Sequence, residues 1–136
     1  MDFYEVHETT NSVYLIVEFI PGKELFKFTE NQKSQSEKHV MKTVMNLLIG
    51  LKHIHEKGIM HRDLKPENIM VASHKKQYKV RIIDFGLGTF IKPKDYLYPR
   101  CGSPGYIAPE VYTHGNAMKY GPKCDVFAVG VIFYIM

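Results

Sequence analysis

The feature that most constrains this chain is the stretch at residues 61–70, which reads HRDLKPENIM. It offers a carboxylate at Asp63, an ammonium group at Lys65 and an amide at Asn68, at short and fixed offsets. Pro66 lies among them and fixes one backbone angle, which stiffens the segment. Short apolar runs precede and follow the polar residues. The pattern predicts two short strands joined by a rigid loop that presents its polar groups at the tip.

Two further motifs follow this loop, DFG at residues 84–86 and APE at residues 108–110. Either tripeptide alone would be weak evidence, because short motifs often occur by chance. The loop itself has the form H-R-D-L-x-x-x-N, and the three segments agree in order and spacing with a protein kinase. The chain therefore resembles a eukaryotic protein kinase catalytic domain. A chance match of all three is rarer than roughly one in a hundred.

The resemblance implies an α+β fold in which residues 1–136 form part of a kinase domain. Residues 1–20 would be N-lobe strands and the hinge, and residues 21–136 the first, mainly helical part of the C-lobe. The sequence shows no glycine-rich phosphate loop, no lysine for the α- and β-phosphates and no helix with the partner glutamate. We therefore expect negligible kinase activity from this polypeptide alone. We also expect a last helix, starting at Asp125, that exposes apolar surface.

The resemblance also implies ATP-dependent phosphoryl transfer to a Ser or Thr hydroxyl of a protein, with ATP and Mg²⁺ as cofactors. Asp63 would orient the substrate hydroxyl and accept its proton, and Lys65 would contact the γ-phosphate. Asn68 and Asp84 would hold Mg²⁺, which keeps several waters and so suits a sparse ligand set. The predicted catalytic residues are Asp63, Lys65 and Asn68, and the predicted metal ligands are Asn68 and Asp84.

A second set of residues matches the adenosine side of a kinase cleft. By the resemblance, Val17 is the gatekeeper, and Glu18 and Ile20 offer main-chain groups to adenine. Glu24 would reach the ribose, and Met70 would form the floor of the cleft. Without the later motifs this region would read only as an ordinary strand, turn and helix. The predicted nucleotide-binding residues are Val17, Glu18, Ile20, Glu24, Lys65, Met70 and Asp84.

The subclass of kinase is indicated by residues near the loop at residues 61–70, which is called the catalytic loop below. Lys65 and the pair Ser103-Pro104 look like the Ser/Thr type, and Ser103 would hydrogen-bond near Asp63 and select a Ser or Thr hydroxyl. Three segments, namely the hinge and residues 101–110 and 124–131, look most like the calcium/calmodulin-dependent kinase group or its calcium-dependent relatives. By the same resemblance, Asp125 would brace the backbone of the catalytic loop.

Substrate preference and control are also suggested by the resemblance. Glu24 and Glu67 match positions that recognise basic side chains, so we expect a protein substrate with Arg or Lys N-terminal to the target. Arg62 implies that the following loop could be ordered by a phosphate or carboxylate. The position that usually carries the phosphorylated Thr holds Pro99, which departs from the family pattern.

Local patterns predict the surrounding elements. Runs at residues 3–6 and 13–19 predict a β-hairpin. A short helix is predicted to begin at Lys23, and a long one to follow Ser36 as its cap and to stop at residues 57–58. The remaining predicted elements are a turn at residues 75–76, a strand at residues 79–83, and loops at residues 87–100 and 112–121.

Composition excludes little but favours a single ordinary domain. The net charge is +4, yet the basic residues are spread along the chain, so nucleic-acid binding is a weak hypothesis at roughly one in twenty.

Metal binding by the three histidines His53, His55 and His61 is an equally weak hypothesis, because their spacing fits no strong ligand pattern. His55 is instead expected to form a hydrogen bond in the core. The apolar run at residues 126–136 is too short to span a bilayer. Two cysteines make no disulfide framework, which favours the cytoplasm, with the nucleus as an alternative.

Two other functions stay open on the sequence. The chain could be a noncatalytic kinase-like fragment or binding module that lacks the phosphate-clamping N-lobe. It could also be a scaffold with degenerate motifs, although every catalytic residue that this segment could carry is present. No membrane partner is expected, and the oligomeric state is not predicted.

Overall fold

The computed structural model describes residues 2–30, 35–74, 77–91, 96, 98–113 and 120–136. The turn predicted at residues 75–76 lies outside the described residues, as do parts of the two predicted loops. No helix within the described ranges is long and apolar enough to cross a membrane.

The described chain forms seven strands and four α-helices, with a 3-10 turn at Pro66–Asn68. The strands are β1 Phe3–Glu8, β2 Val13–Val17, β3 Lys23–Glu24, β4 Ile59–Met60, β5 Ile69–His74, β6 Gln77–Ile82 and β7 Thr89–Phe90. The helices are α1 Leu25–Glu30, α2 Glu37–Glu56, α3 Pro109–Thr113 and α4 Lys123–Ile135. The strands pair antiparallel in three small sheets, β1-β2, β3-β5-β6 and β4-β7. These small sheets and the helices make the mixed α+β fold that was expected.

The predicted hairpin is confirmed, with shifted ends. β1 continues to Glu8 because His7 and Glu8 still pair with Tyr14 and Val13, although their side chains are polar. β2 ends at Val17 rather than at residue 19, because the ladder pairs Val17 with the first residue of β1. Main-chain pairing, unlike an apolar pattern, does not depend on the side chain, so the sequence placed these ends imprecisely.

The predicted helix start at Lys23 is wrong. Lys23 and Glu24 form a strand that pairs with Val71 and Met70 of β5, and α1 begins only at Leu25. Gly22 makes this pairing possible, because a Cβ atom there would lie 2.4 Å from the carbonyl oxygen of Val71. The long-range partner therefore overrides the local preference for helix.

Helix α2 matches the prediction closely. Thr43, Leu47 and Leu51 are its buried residues and lie at helical spacing. The helix stops where Gly58 turns with φ of 74°, which only glycine adopts without strain. Ser36 lies at the N-terminal cap position, but its side chain does not cap the helix. Its hydroxyl is instead 3.4 Å from Nδ1 of His39.

Two apolar clusters support the catalytic loop. Leu64 and Ile69, which lie within and just after the loop, are buried in the cluster that joins α1, α2, β5 and α4. Met60, which precedes the loop, is buried in a second cluster with Ala108 of the APE motif and Tyr120. The polar groups of the loop are therefore held in place by apolar neighbours on both sides.

Helix α4 begins at Lys123, two residues before the predicted start. Pro122 is in a helical conformation at its N-cap, with φ of −63°, and so already sets the first turn. The expected exposure of apolar surface on this helix is confirmed. Ala128, Val129 and Ile132 are buried, whereas other large apolar residues of the helix are exposed. The exposed ones are Val126, Phe127, Phe133, Tyr134 and Ile135.

Candidate active site

The catalytic loop is anchored by a single carboxylate, that of Asp125 in the first turn of α4. Its Oδ2 accepts a hydrogen bond from the main-chain N–H of His61 at 2.9 Å, and its Oδ1 accepts one from Arg62 at 2.8 Å. Asp125 is 1% exposed. Its predicted role as a brace for the loop backbone is therefore confirmed.

The same carboxylate fixes a histidine of α2. Nε2 of His55 lies 2.8 Å from Oδ2 of Asp125, which confirms the predicted hydrogen bond of His55 within the core. The carboxylate of Asp125 thus accepts hydrogen bonds from three donors, and these bonds take the place of water in stabilising it. The bonds also hold Arg62 at φ of 68°, a conformation that costs a non-glycine residue roughly 1–3 kcal/mol.

His61 connects the loop to the strand that leads to the DFG motif. Its Nε2 is 2.9 Å from the carbonyl oxygen of Ile83, so this nitrogen must carry the proton that is donated. Its Nδ1 then accepts the main-chain N–H of Asp63 at 3.2 Å. The ring centroid of Phe85 lies 4.8 Å from that of His61. Both ring nitrogens of His61 are thus used for positioning, and the imidazole is 0% exposed.

The three predicted catalytic side chains are brought together, and a fourth joins them. The hydroxyl of Ser103 donates to Oδ1 of Asp63 at 2.8 Å and accepts from Nζ of Lys65 at 2.8 Å. Lys65 is also 3.3 Å from Oδ2 of Asp63. Asn68 donates from Nδ2 to the main-chain oxygen of Asp63 at 2.9 Å and to its Oδ2 at 3.2 Å. The predicted hydrogen bonding of Ser103 near Asp63 and Lys65 is confirmed.

Asp84 is presented at the end of β6. It has φ of 61°, and its Oδ1 accepts the main-chain N–H of Gly86 at 3.1 Å. The preceding residue, Ile83, donates its main-chain N–H to the carbonyl oxygen of Asn68 at 2.9 Å. The two predicted metal ligands therefore lie on segments that are hydrogen-bonded to each other.

The donors at this place fit a hard divalent cation. Asp84 is exposed, and Oδ1 of Asn68 makes no hydrogen bond to any residue that the structure describes. Carboxylate and amide oxygens are the ligands that Mg²⁺ takes, with waters and phosphate oxygens completing its shell. Histidine is not part of this set. Across the described ranges, no group of three or more His, Cys, Asp or Glu side chains lies close enough to hold a metal ion.

The predicted adenosine-binding residues lie on two parts of the fold. Glu24 and Met70 are register partners on β3 and β5, so their side chains share one face of the sheet. Val17 ends β2, and Glu18 and Ile20 follow it. The main-chain N–H of Glu18 donates to the oxygen of Asp2 at 2.8 Å.

Sequence reasoning missed two residues that shape the loop. Tyr120 is 6% exposed and accepts a hydrogen bond from Arg62 at 3.1 Å. Gly102 has φ of 120°, and a Cβ atom there would lie 2.9 Å from the main-chain oxygen of Arg62. A glycine directly before Ser103 was a usable signal for a close approach, whereas nothing in the local pattern marked Tyr120.

The whole chain, residues 1–136, matches the family model described as protein kinase domain. This chain belongs to the protein kinase domain family. The resemblance inferred from the motifs is therefore confirmed.

Similar proteins agree with this membership. A probable myosin light chain kinase from Dictyostelium discoideum is 39% identical over the whole chain, which covers 42% of that protein. Calcium-dependent protein kinase 11 of Arabidopsis thaliana is 41% identical over 96% of the chain and 26% of its own length. Human calcium/calmodulin-dependent protein kinase type IV is 36% identical over 97% of the chain and 27% of its length. The predicted likeness to calcium-linked Ser/Thr kinases is confirmed, and the chain spans less than half the length of each of these relatives.

Asp125→Asn tests the anchor of this kinase-family loop. The new amide would place an N–H₂ group against main-chain N–H donors, so at least one buried donor loses its acceptor. We expect the free energy of unfolding to fall by about 2–3 kcal/mol, which urea denaturation measures. Glu56→Gln is the matched control, because Glu56 forms only an exposed pair with Lys52 at 3.6 Å. Equal effects of the two substitutions would contradict the anchoring role.

Proposed function

We propose that the protein carrying this chain is a protein serine/threonine kinase, which transfers the γ-phosphoryl group of ATP to a protein hydroxyl. The observation that carries the proposal is the hydrogen-bonded set of Asp63, Lys65, Ser103 and Asn68. Phosphoryl transfer requires the attacking hydroxyl to be positioned in line with the leaving group. It also requires cations near the negative charge on the phosphoryl oxygens, but little covalent chemistry from the protein. The family membership supports the same function, and so do further similar proteins whose names describe them as probable serine/threonine-protein kinases.

The residues of the set divide the work. Asp63 orients the incoming hydroxyl and then accepts its proton at a carboxylate oxygen. Lys65 lies beside Asp63 and supplies positive charge for the phosphoryl oxygens. Ser103, which bridges them, would turn to meet a Ser or Thr hydroxyl. Asn68 and Asp84 would hold Mg²⁺, which would supply positive charge against the phosphate oxygens.

We extend the proposal to the nucleotide. Val17 would border the adenine pocket, main-chain groups of Glu18 and Ile20 would bind adenine, and Met70 would form the floor. Glu24 would bind the ribose. Its carboxylate now pairs with Lys27 at 2.9 Å, and an exposed pair of this kind is worth only about 0–1 kcal/mol. Replacing the ion pair between Glu24 and Lys27 with a hydrogen bond from a ribose hydroxyl would therefore cost little free energy.

The protein substrate is proposed to carry Arg or Lys N-terminal to the phosphorylated residue. Glu67 is exposed next to the catalytic set. Its charge acts on Tyr106, whose pKa is raised first by burial and second by Glu67. An exposed carboxylate two residues from Lys65 would attract a basic side chain of a bound peptide. A reduced location, the cytoplasm or the nucleus, is also proposed, and the two free cysteines support it.

Asp63→Asn tests the catalytic proposal. In the protein expressed from its full coding sequence, we expect kcat to fall by about 10²–10⁴-fold, because the proton acceptor is lost and the shape is kept. Phosphate incorporation into a Ser-containing and a matched Tyr-containing peptide is the measurement, and only the Ser peptide should react. Glu8→Gln, at the exposed end of β1, is the control. Absence of phosphate incorporation by both the wild type and Asp63→Asn would favour the noncatalytic binding module, and equal measurable activity of the two would contradict the role of Asp63.

A positional peptide library tests the substrate proposal. We expect enrichment of Arg or Lys N-terminal to the target. Glu67→Gln should reduce that preference by about two- to fivefold, as the loss of an exposed ion pair of up to ~1 kcal/mol implies. Glu37→Gln, on helix α2, should leave the profile unchanged. Selection of acidic residues at these positions would refute the proposal.

A further inference from the structure

Three hydrogen bonds of the Arg62 guanidinium group go to neutral oxygens. Its Nε donates to the main-chain oxygen of Leu87 at 2.7 Å, and its Nη1 donates to the main-chain oxygen of Tyr98 at 2.7 Å. Nη1 also donates to the hydroxyl of Tyr120 at 3.1 Å. Arg62 is 8% exposed, so little of it remains accessible to a new ligand. Among the residues that the structure describes, no carboxylate forms an ion pair with it.

Two tyrosines build this environment together. Cζ of Arg62 lies 5.3 Å from the ring centroid of Tyr96, a distance at which the cation is attracted to the ring. The rings of Tyr96 and Tyr120 are 5.1 Å apart, and the hydroxyl of Tyr96 donates to the main-chain oxygen of Tyr120 at 2.5 Å. Burial raises the pKa of both phenols, so they remain protonated and neutral at physiological pH. They compensate the buried cation without adding an anion.

The contacts of this pair continue to the catalytic set. The main-chain oxygen of Tyr98 is held by Arg62. Sγ of Cys101 lies 3.8 Å from the hydroxyl of Tyr120, and Gly102 packs on the main chain of Arg62. Ser103 then reaches Asp63. Four residues of the segment 98–103 are therefore held by contacts with Arg62, Tyr120 or Asp63, namely Tyr98, Cys101, Gly102 and Ser103.

A buried arginine beside a catalytic loop often acts as a switch, because a phosphate added to a neighbouring loop orders that loop around the cation. Here Nε and Nη1 of the cation already have acceptors, and Pro99 has no hydroxyl to phosphorylate. We propose that Tyr96 and Tyr120 are positioning residues that hold Arg62, and through it residues 98–103, in the arrangement for phosphoryl transfer without phosphate on the chain. This proposal rests on the proposed kinase function.

The first test is removal of phosphate from the full-length protein with a phosphatase, checked by intact mass. We expect kcat for a Ser peptide to stay within about twofold of the untreated protein. Tyr120→Phe keeps the ring and loses the hydroxyl that contacts Arg62 and Cys101. It should lower kcat about five- to tenfold, with KM for ATP within twofold. Tyr96→Phe should act in the same direction, and Tyr112→Phe, an exposed tyrosine of α3, should have no effect.

A second measurement tests the positioning role independently of the kinase function, because it does not require enzymatic activity. Cleavage by trypsin after the exposed Arg100 should be slow in the unphosphorylated wild type and at least about fivefold faster in Tyr120→Phe, because a protease needs a segment that can leave its contacts. If the wild type proves inactive, the kinase function fails and this difference in cleavage rate alone decides the positioning role. A loss of kcat above about tenfold on phosphatase treatment would overturn the proposal. Equal cleavage rates in the wild type and in Tyr120→Phe would also overturn it.

Discussion

The structure depends on the buried carboxylate of Asp125. It accepts hydrogen bonds from the main chain of His61 and Arg62 and lies against His55 of another helix. A carboxylate out of water costs several kcal/mol unless its oxygens are bonded, so the charge and its donors are mutually dependent. Through these bonds, helix α4 fixes a loop more than sixty residues away in the chain and holds Arg62 at a positive φ.

The chemistry of the site follows from what surrounds that anchor. Leu64 and Ile69 lie in the apolar core and so fix both ends of the segment that carries Lys65 and Asn68. Ser103 meets Asp63 from the following segment, and the main-chain oxygen of Asn68 receives the N–H of the residue before Asp84. A carboxylate, an ammonium group and the two proposed metal ligands are thereby collected from segments that fold around one loop.

Local signals in the sequence were sufficient for the hairpin, for helix α2 and for the rigid loop, because each shows its own periodicity or turn residues. The strand at Lys23 could not be predicted in this way, since its partner is Val71, far along the chain. The same holds for Tyr120, which acts on Arg62 only after the chain has folded. The nucleotide and metal roles of Glu24, Asn68 and Asp84 rest on the family resemblance, because single polar residues carry no spacing rule of their own.

The central claim is that Asp63, Lys65 and Ser103 act in phosphoryl transfer as one hydrogen-bonded unit. The most direct test is a double-mutant cycle of Lys65→Ala and Ser103→Ala in the full-length protein, measured as kcat/KM on a Ser peptide. Residues that act as a unit are not additive, so the double variant should lose at least about fivefold less than the product of the two single losses. Losses that simply multiply would contradict the claim.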